Sequence, residues 1–302
     1  MHKLAEIVLQ AKALKRRTRI AVAVAEDANT IAAVIKATQE GFVHPILLGN
    51  KERIELLLAP HKLKATEFEI IHIPDELKAT KEAVRLVRCG DADVLMKGLV
   101  GTDKFLKAVL DKANGLLTPG SVMSYTCALE FPRYHKLLLV SDTAVLQNPD
   151  LNQKIAMVNY SVKMARHLGI NKPKVALISC TEKVSASMPN TIDAALISKM
   201  AERGQIKHCI IDGPLDIFLA LDPQSMEIKG VNTPVGGDAD ILIFPDLETA
   251  NSFYKGLMLF AGAELAGMIQ GTTKPVIVMS RSESELSKYY CLALSCLMSE
   301  DI

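Results

Sequence analysis

The chain has 302 residues, of which 49% are hydrophobic and 23% are charged. Its 35 basic and 34 acidic side chains leave a formal net charge of +1, which excludes a general electrostatic attraction to nucleic acid or to an anionic membrane. Because no uncharged span of about 18 residues occurs and the N-terminal segment lacks a cleavage site, we expect a cytoplasmic protein that is neither exported nor membrane-spanning.

Short β-branched or aliphatic runs alternate with segments of helical periodicity from Arg19 onward, which is typical of parallel strands joined by crossover helices. In the first part of the chain this pattern predicts strands over 20–25, 45–48 and 92–96, and helices over 27–39, 51–58, 78–88 and 102–112. Asp27 is the predicted cap of the first of these helices. The pattern therefore predicts an α/β protein.

The pattern changes between residues 118 and 140, where the strand-like runs SVMSYTCALE and KLLLVSD stand close together. The short Phe-Pro-Arg interruption between them predicts adjacent, antiparallel strands near a domain junction. Beyond them, helices are predicted over 152–168, 191–203, 248–260 and from 283, and strands over 174–179, 209–212, 240–244 and 275–279.

Domain limits follow from that change of pattern, since no internal repeat, low-complexity tract or flexible linker marks a boundary. We predict a first α/β domain of residues 1–139 plus 285–302. The second α/β domain is predicted over residues 140–284, so the C-terminal helix returns to the first domain.

The cysteines contain no CxxC pair and no histidine partner at metal-ligand spacing, which argues against a zinc site and against a disulfide framework. They are Cys89, Cys127, Cys180, Cys209, Cys291 and Cys296. Reduced thiols in the cytosol and no bound metal are expected. Cys180 lies beside a candidate site, but no histidine near it in sequence could activate it as a nucleophile.

Ligands of open parallel sheets bind outside the carboxyl ends of the strands, where loops meet helix N-termini. Four loops of this kind carry polar or charged residues suited to binding or catalysis. They are 97–102, 180–183, 245–246 with Asn251 in the helix that follows, and 280–282.

The loop 97–102 combines a lysine with two glycines and a threonine. Gly98 and Gly101 permit close approach of a backbone, and Thr102 is placed to cap a helix whose N–H groups can receive an anion. A strand-to-helix turn with a surface lysine explains the same residues equally well. Because neither a Walker A motif nor a GxGxxG motif is present, nucleotide hydrolysis and ordinary dinucleotide binding are disfavoured.

The other loops also allow two interpretations. Arg281 follows a buried strand, where its guanidinium could bind a phosphoryl group bidentately or stabilise a developing oxyanion. Ser282 and Glu285 have the spacing of a capping box, so both can serve the helix end instead. Asp246 is either catalytic or the cap of the helix that begins near Glu248.

Five blocks of the sequence resemble, in order, the blocks of the phosphate butyryltransferases, and together they cover most of the chain. They are LMKGLVGTDKFLKAVLDK, EKVSASMPNTIDAA, DGPLDIFLALD, GGDADILIFPDLETANSFYK and PVIVMSRSESE. The fourth block, followed by Ser280 and Arg281, also resembles the wider phosphate acetyl/butyryltransferase family. The ordered set is far more specific than any single loop.

The resemblance implies a two-domain, three-layer fold with mostly parallel sheets, similar to that of isocitrate and isopropylmalate dehydrogenases. It also implies an active cleft between the domains and a homodimer built mainly by the second domain. The implied reaction converts butyryl-CoA and phosphate to butyryl phosphate and CoA, reversibly, with coenzyme A as a substrate and with no metal or other cofactor. Direct transfer in a ternary complex would need no acyl-enzyme.

In phosphate acetyltransferases, the serine and arginine that match Ser280 and Arg281 are active-site residues. An arginine of those enzymes corresponds to Lys107 here, and an aspartate seven positions after the motif serine corresponds to Ser287. Neither role can therefore be transferred unchanged.

The chemistry requires a base for the CoA thiol and a group that stabilises negative charge. Arg281 can fill the second role, and for the first we expect substrate phosphate or Asp246, with Glu283 and Glu285 dispensable. Ser287 would orient the thiol. The other residues expected to bind substrate, through phosphate or the CoA tail, are Lys97, Gly98, Thr102, Thr181, Lys183 and Asn251.

Three other functions stay open on the sequence alone. A phosphate acetyltransferase would differ only in its acyl pocket. A dehydrogenase acting on 2-hydroxy acids could use the same fold, but the carboxylate cluster for a metal and the nicotinamide site that it needs are not recognisable. A noncatalytic sensor of CoA or acyl phosphate would account for the altered residues near the C-terminal helix.

Overall fold

Strands and helices alternate along the chain, as the sequence pattern predicts. The computed structural model describes residues 1–61, 68–280 and 283–301, and the chain divides into two compact units. The central unit comprises Ser124–Ala263 with Met1–Leu4, and the terminal unit comprises Ala5–Met123 with Glu264–Ile302. The predicted domains, 1–139 plus 285–302 and 140–284, divide the chain at other residues and stay a prediction.

The elements are numbered in chain order. The helices are α1 Leu4–Ala13, α2 Ala28–Gln39, α3 Lys51–Leu58, α4 Glu76–Arg88, α5 Thr102–Val109, α6 Leu151–His167, α7 Pro189–Glu202, α8 Ile217–Leu221, α9 Pro223–Lys229, α10 Leu247–Phe260 and α11 Glu285–Met298. The strands are β1 Thr18–Ala23, β2 Val43–Gly49, β3 Glu69–His72, β4 Val94–Lys97, β5 Ser124–Glu130, β6 Leu138–Ser141, β7 Lys174–Ile178, β8 Ile210–Leu215, β9 Ile241–Ile243, β10 Glu264–Gln270 and β11 Val276–Ile277.

The terminal unit has the strand order β3-β2-β1-β4-β11-β10. All its strands run parallel except β10, which is antiparallel to β11. The chain moves one way across the sheet from β1 to β3 and the other way to β4. Right-handed crossovers therefore place α2 and α3 on one face and α4 on the other. Helix α11 packs against α2 and β10, so the C-terminal helix belongs to this unit.

The central unit has the strand order β5-β6-β9-β7-β8. Strands β6, β9, β7 and β8 run parallel, whereas β5 pairs antiparallel with β6. The antiparallel pairing predicted for the runs between residues 118 and 140 is thereby confirmed. Helix α6 packs on β5, β6 and β9, and α7 packs on β8.

Aspartates begin several of the helices, because a carboxylate next to the first turn accepts an otherwise unpaired backbone N–H. Asp27 accepts from the backbone N–H of Thr30 at 2.9 Å, which confirms its predicted role as the cap of α2. The Nζ of Lys288, in α11, also donates to Asp27, at 2.8 Å. This ion pair ties the C-terminal helix to the first crossover helix of the same unit.

The predicted α/β class with mostly parallel strands is confirmed, but two details of the sequence interpretation are wrong. Strand β10 was not anticipated. Helix α11 begins at Glu285, and its cap is Ser284, whose Oγ accepts from the backbone N–H of Ser287 at 2.9 Å. Glu285 is therefore the first helical residue and not the third, so it is not part of a capping box; Ser282 lies outside the described residues. No described helix is long and apolar enough to cross a membrane.

Candidate functional site

Two of the predicted site loops meet at one edge of the terminal unit. Strands β4 and β11 are parallel neighbours, with Leu95 opposite Val276 and Met96 opposite Ile277. Lys97, the last residue of β4, and Ser280, shortly after the end of β11, therefore lie at the same carboxyl edge of the sheet. Strand β10 is antiparallel to β11 and therefore begins at this edge, so the first residues of β10 also lie near the site.

Gly98 is required where it stands, because the chain after β1 passes against it. Its N–H donates to the carbonyl of Ala23 at 2.9 Å, and the next N–H, of Leu99, donates to the carbonyl of Val24 at 2.8 Å. A Cβ on Gly98 would lie 2.2 Å from that carbonyl oxygen of Val24. The close backbone approach predicted for this glycine is confirmed.

The backbone of Val24 adopts an unusual conformation beside Gly98. Its φ of +56° lies in the left-handed region, which a β-branched residue rarely occupies. Such a conformation costs about 1–3 kcal/mol and is found most often at functional sites. The strained turn after β1 is therefore independent support for a site at this edge.

Lys97 is not a surface lysine, since only 5% of it is exposed. Its Nζ donates to the carbonyl of Gly98 at 3.2 Å and to that of Val100 at 3.1 Å. The ammonium group thus holds its own loop in shape while placing a positive charge inside it. Binding of substrate phosphate by Lys97 stays a prediction.

Thr102 does not cap α5, contrary to the sequence interpretation. It is the exposed first residue of the helix, and the cap position is occupied by Gly101, which has no side chain to accept a bond. The N–H of Gly101 instead donates to the Oε1 of Glu76, in α4, at 3.1 Å. The hydroxyl of Thr102 is therefore not occupied in capping.

Ser280 is exposed and follows the buried residues of β11. Its backbone N–H donates to the Oε2 of Glu283 at 2.7 Å, and the N–H of Glu283 donates back to the carbonyl of Ser280 at 3.3 Å. Arg281, the predicted anion-stabilising residue, lies outside the described residues.

Ser287 is fully buried, with 0% of it exposed. Its Oγ donates to the Oε2 of Glu264 at 2.5 Å and accepts from the backbone N–H of Leu265 at 3.0 Å. A hydroxyl closed off from solvent and engaged in two bonds is not placed to orient a bound thiol. We therefore leave Ser287 out of the proposed site. The carboxylate that its hydroxyl contacts, Glu264, is a residue that sequence reasoning missed.

Asp246 and Asn251 lie at the corresponding edge of the central unit. The Oδ1 of Asp246 accepts from the backbone N–H of Thr249 at 2.8 Å and from its hydroxyl at 2.9 Å, so the aspartate caps α10. One turn later, the Nδ2 of Asn251 donates to the carbonyl of Thr143, in the loop after β6, at 2.9 Å. The helix start and the neighbouring loop are thereby held together.

The loop after β6 is organised by Asp142, a buried carboxylate that sequence reasoning also missed. It accepts backbone N–H groups of Tyr125 at 3.0 Å, Ala144 at 2.8 Å and Val145 at 2.9 Å. Burial raises the pKa of Asp142, although these bonds oppose the rise. An aspartate directly after a buried strand is the sequence signal that could have indicated this loop organiser.

Thr181 and Lys183 follow β7 in the same unit. The Oγ1 of Thr181 accepts from the backbone N–H of Lys183 at 3.2 Å, and the side chain of Lys183 is exposed. Just before them, the hydroxyl of Ser179 accepts from the Nδ2 of Asn190, in α7, at 3.1 Å. Because β7 and β9 are parallel neighbours, this loop and Asp246 share one sheet edge.

The predicted site residues thus form two groups, one in each unit. Lys97, Gly98, Thr102 and Ser280 lie at the carboxyl edge of the terminal sheet, and Thr181, Lys183, Asp246 and Asn251 lie at that of the central sheet. Within the described ranges, no group of three or more His, Cys, Asp or Glu side chains is arranged to hold a metal ion.

Comparisons with a protein family, with relatives in sequence and with a solved structure agree. Residues 3–84 and 57–296 match the model of the family described as phosphate acetyl/butaryl transferase. A phosphate butyryltransferase of Clostridium acetobutylicum is 41% identical over 97% of this chain and 97% of the relative, and a phosphate acetyltransferase of Thermotoga maritima is 39% identical over 92% and 94%. The crystal structure of a branched-chain phosphotransacylase from Enterococcus faecalis has a TM-score of 0.83 at 29% identity, covering 93% of this chain and 99% of that chain.

Proposed function

The chain belongs to the phosphate acetyl/butaryl transferase family, and within it we propose that the protein transfers a butyryl group between coenzyme A and inorganic phosphate. The observation that carries the proposal is the identity with a clostridial phosphate butyryltransferase along nearly the full length of both chains. The reaction is butyryl-CoA plus phosphate to butyryl phosphate plus CoA, in either direction. Coenzyme A is a substrate, and the enzyme is a transferase.

The proposed mechanism is direct transfer in a ternary complex. Toward butyryl-CoA, the CoA sulfur attacks the carbonyl carbon of butyryl phosphate, the C–S bond forms, and the C–O bond to phosphate breaks. The thiol proton must leave as the C–S bond forms, and the oxyanion needs a positively charged or N–H donor. No residue need carry the acyl group.

In this proposal the terminal unit supplies the groups nearest the reaction. Ser280, exposed at the end of β11, contacts the substrate, and Arg281 stabilises the charge on the oxyanion and the phosphoryl oxygens. The loop that begins at Lys97 contributes the positive charge of its ammonium group and the N-terminus of α5. Both features favour a bound phosphate group.

The central unit supplies further binding groups in this proposal. Thr181 and Lys183 contribute a hydroxyl and an exposed positive charge that would bind the CoA tail. Asn251 holds the loop after β6, and Asp246 fixes the start of α10. These two residues shape the site, and we assign neither of them to proton transfer.

Acetyl transfer is the second candidate, and the Thermotoga maritima phosphate acetyltransferase is the observation that favours it. The two activities share every step and differ in the apolar space given to the acyl chain. The Enterococcus faecalis protein is described as a branched-chain phosphotransacylase, so a branched acyl group is the third substrate to compare with butyryl and acetyl groups.

The cellular setting is part of the proposal. The six cysteines are free thiols, which supports a reducing cytoplasm. The proposed butyryl substrate would place the protein in butanoate metabolism. Large apolar side chains are exposed on the central unit, which supports a homodimer formed through that unit; they include Phe218, Ile228, Leu259 and Phe260. Sedimentation of the purified protein measures this state, and a monomer at micromolar concentration would contradict it.

A thiol-release assay tests the proposed function. The purified protein is mixed with butyryl-CoA, and free CoA is measured with and without phosphate. Phosphate-dependent release together with formation of butyryl phosphate is expected. Binding of CoA without turnover would instead indicate a sensor, and nicotinamide reduction with a 2-hydroxy acid and a divalent metal would indicate a dehydrogenase.

A further inference from the structure

Glu264 is the first residue of β10, which places it at the carboxyl edge of the parallel strands in the terminal unit, the edge that also holds Lys97 and Ser280. Strand β10 runs antiparallel to β11, with Ile269 opposite Val276, so the start of β10 lies at the edge where the chain leaves β11 toward the exposed Ser280. The residue is half-buried, neither enclosed in the core nor fully in solvent. A carboxylate thus lies next to the segment expected to contact the substrate.

Two hydroxyls of the C-terminal helix fix the orientation of this carboxylate. The Oγ of Ser284 donates to the Oε2 of Glu264 at 2.7 Å, and the Oγ of Ser287 donates to the same oxygen at 2.5 Å. Because both bonds use Oε2, the second oxygen takes no part in them. An oriented carboxylate whose second oxygen accepts no hydrogen bond from the described residues has the geometry of a proton acceptor.

Other carboxylates near this edge of the terminal unit are already engaged with cations. The Oε2 of Glu26 lies 3.0 Å from the guanidinium of Arg53, and Asp27 lies 2.8 Å from the buried ammonium of Lys288. A carboxylate paired with a cation is a poor proton acceptor, since protonation breaks the pair. Among the described residues, no cation forms an ion pair with Glu264.

The three carboxylates that the sequence analysis considered near the reaction are engaged in turns or exposed. Glu283 accepts the backbone N–H of Ser280, Glu285 is exposed in the first turn of α11, and Asp246 caps α10. The charge and the hydrogen bonds of Glu283 and Asp246 are therefore used to hold turns. Glu264 differs from these two in that it accepts from side-chain hydroxyls and from no backbone N–H of a turn or helix cap among the described residues.

We infer that Glu264 is the general base of the reaction, the group that accepts the proton of the CoA thiol. The inference rests on the proposed function, because it assigns one step of acyl transfer. As the C–S bond forms, the S–H bond breaks and its proton passes to the carboxylate of Glu264. The C–O bond to phosphate then breaks, and the proton leaves Glu264 for the departing phosphate or for solvent. In the opposite direction Glu264 returns the proton to the thiolate.

The test compares Glu264→Gln with the wild-type protein in the direction that consumes butyryl phosphate and CoA. The glutamine keeps the size of the side chain and an oxygen for the two hydroxyls, but it cannot accept the proton. At pH 7 we expect turnover to fall at least 100-fold, the lower end of the contribution of a general base. Glu285→Gln, one helical position after Ser284, is the matched control and should keep nearly full turnover.

The pH dependence separates a base from a residue that only holds the fold. A thiol with a pKa near 8.5 is roughly 25 times more ionised at pH 9 than at pH 7. The deficit of Glu264→Gln should therefore shrink by about that factor between the two values. A deficit equal at both pH values, or turnover within threefold of wild type at pH 7, would overturn the inference.

Three further measurements make the outcome unambiguous. If Glu264→Gln does not fold, Glu264→Asp replaces it, and its withdrawn carboxylate should give a smaller deficit with the same recovery at high pH. Asp246→Asn tests the rival base, and a loss as large as that of Glu264→Gln would overturn the assignment. Absence of turnover in the wild-type protein would instead reject the proposed function, so the two failures are distinguishable.

Discussion

The ammonium nitrogen of Lys97 lies 3.1 Å from the carbonyl oxygen of Val100, three residues further along the same loop. A buried charge therefore stabilises the loop that joins β4 to α5, at the edge where Ser280 is exposed. The position of the loop and the position of the charge are thus controlled by one side chain.

Removing this charge should impair both binding and turnover. Lys97→Met leaves the carbonyls of Gly98 and Val100 without the ammonium, and a hydrogen bond to a charged group contributes about 1.5–3 kcal/mol. We expect kcat/KM for butyryl phosphate to fall about tenfold or more, because the loop loses both its internal bonds and the positive charge that would favour a bound phosphate group. Lys104→Met, an exposed lysine in α5, is the control. Equal kinetics for the two variants would contradict the role given to Lys97.

Gly98 and Gly256 form a matched pair for testing the close approach beside Lys97. A Cβ on Gly98 would lie 2.2 Å from a backbone oxygen, whereas a Cβ on Gly256, in α10, meets nothing within 4 Å. Gly98→Ala should lower the free energy of unfolding by about 1–3 kcal/mol and reduce turnover, because the loop must move. Gly256→Ala should raise that free energy by about 0.5–1 kcal/mol. Urea denaturation measures both, and a wild-type midpoint for Gly98→Ala would contradict the described packing.

Arg281→Ala should lower turnover by about two to three powers of ten, the loss typical of one preorganised oxyanion donor. Lysine at this position should not fully restore turnover, because a single ammonium lacks the bidentate fork of a guanidinium. Arg133→Ala, an exposed arginine elsewhere, serves as the control for loss of positive charge. Near-normal turnover of Arg281→Ala in steady-state assays would remove this residue from the mechanism.

The pair formed by Lys288 and Asp27 should stabilise the terminal unit in a pH-dependent way. Burial favours the neutral form of Asp27, but the bonds from Lys288 and Thr30 outweigh it and lower the pKa of the carboxyl below its usual value. Because the folded-state pKa is depressed, this stabilisation is present above the unfolded pKa of about 3.9 and is lost as pH falls through the folded value.

Lys288→Met should therefore lower the free energy of unfolding by about 1.5–3 kcal/mol between pH 5 and 8. The difference from the wild-type protein should shrink below pH 4. Lys199→Met, which breaks an exposed pair with Glu202, should leave the free energy of unfolding nearly unchanged. Denaturation curves across this pH range measure the effect, and a difference that persists unchanged at pH 3 would disprove its electrostatic origin.

Local sequence signals were sufficient for most of the parallel framework. Helix α3 spans the predicted residues 51–58, and the aspartates before α2 and α10 are the caps that their positions predict. Strand β10, ELAGMIQ, was missed because alanine and glycine are unfavourable in strands and the run carries no turn signal. Its burial comes from β11 and α11, which are contacts that no local pattern contains.

The site was predictable where a single loop determines it and not where distant segments meet. The close approach at Gly98 follows from the residue type alone. The inward direction of Lys97 depends on the strands packed around it, and the contact between Glu264 and Ser287 joins residues 23 positions apart through an antiparallel strand. A hydroxyl at position 287 could therefore be assigned to substrate from the sequence although the fold buries it.

The most direct test of the account is the ratio of kcat/KM for butyryl-CoA to that for acetyl-CoA, measured in the phosphate-dependent thiol-release assay. Each buried methylene contributes about 0.8 kcal/mol, so the two additional methylenes of butyryl could raise kcat/KM up to about fifteenfold. We predict a ratio clearly above one, with longer and branched acyl groups showing where the pocket ends. A ratio of one or below would contradict the account and identify the protein as a phosphate acetyltransferase.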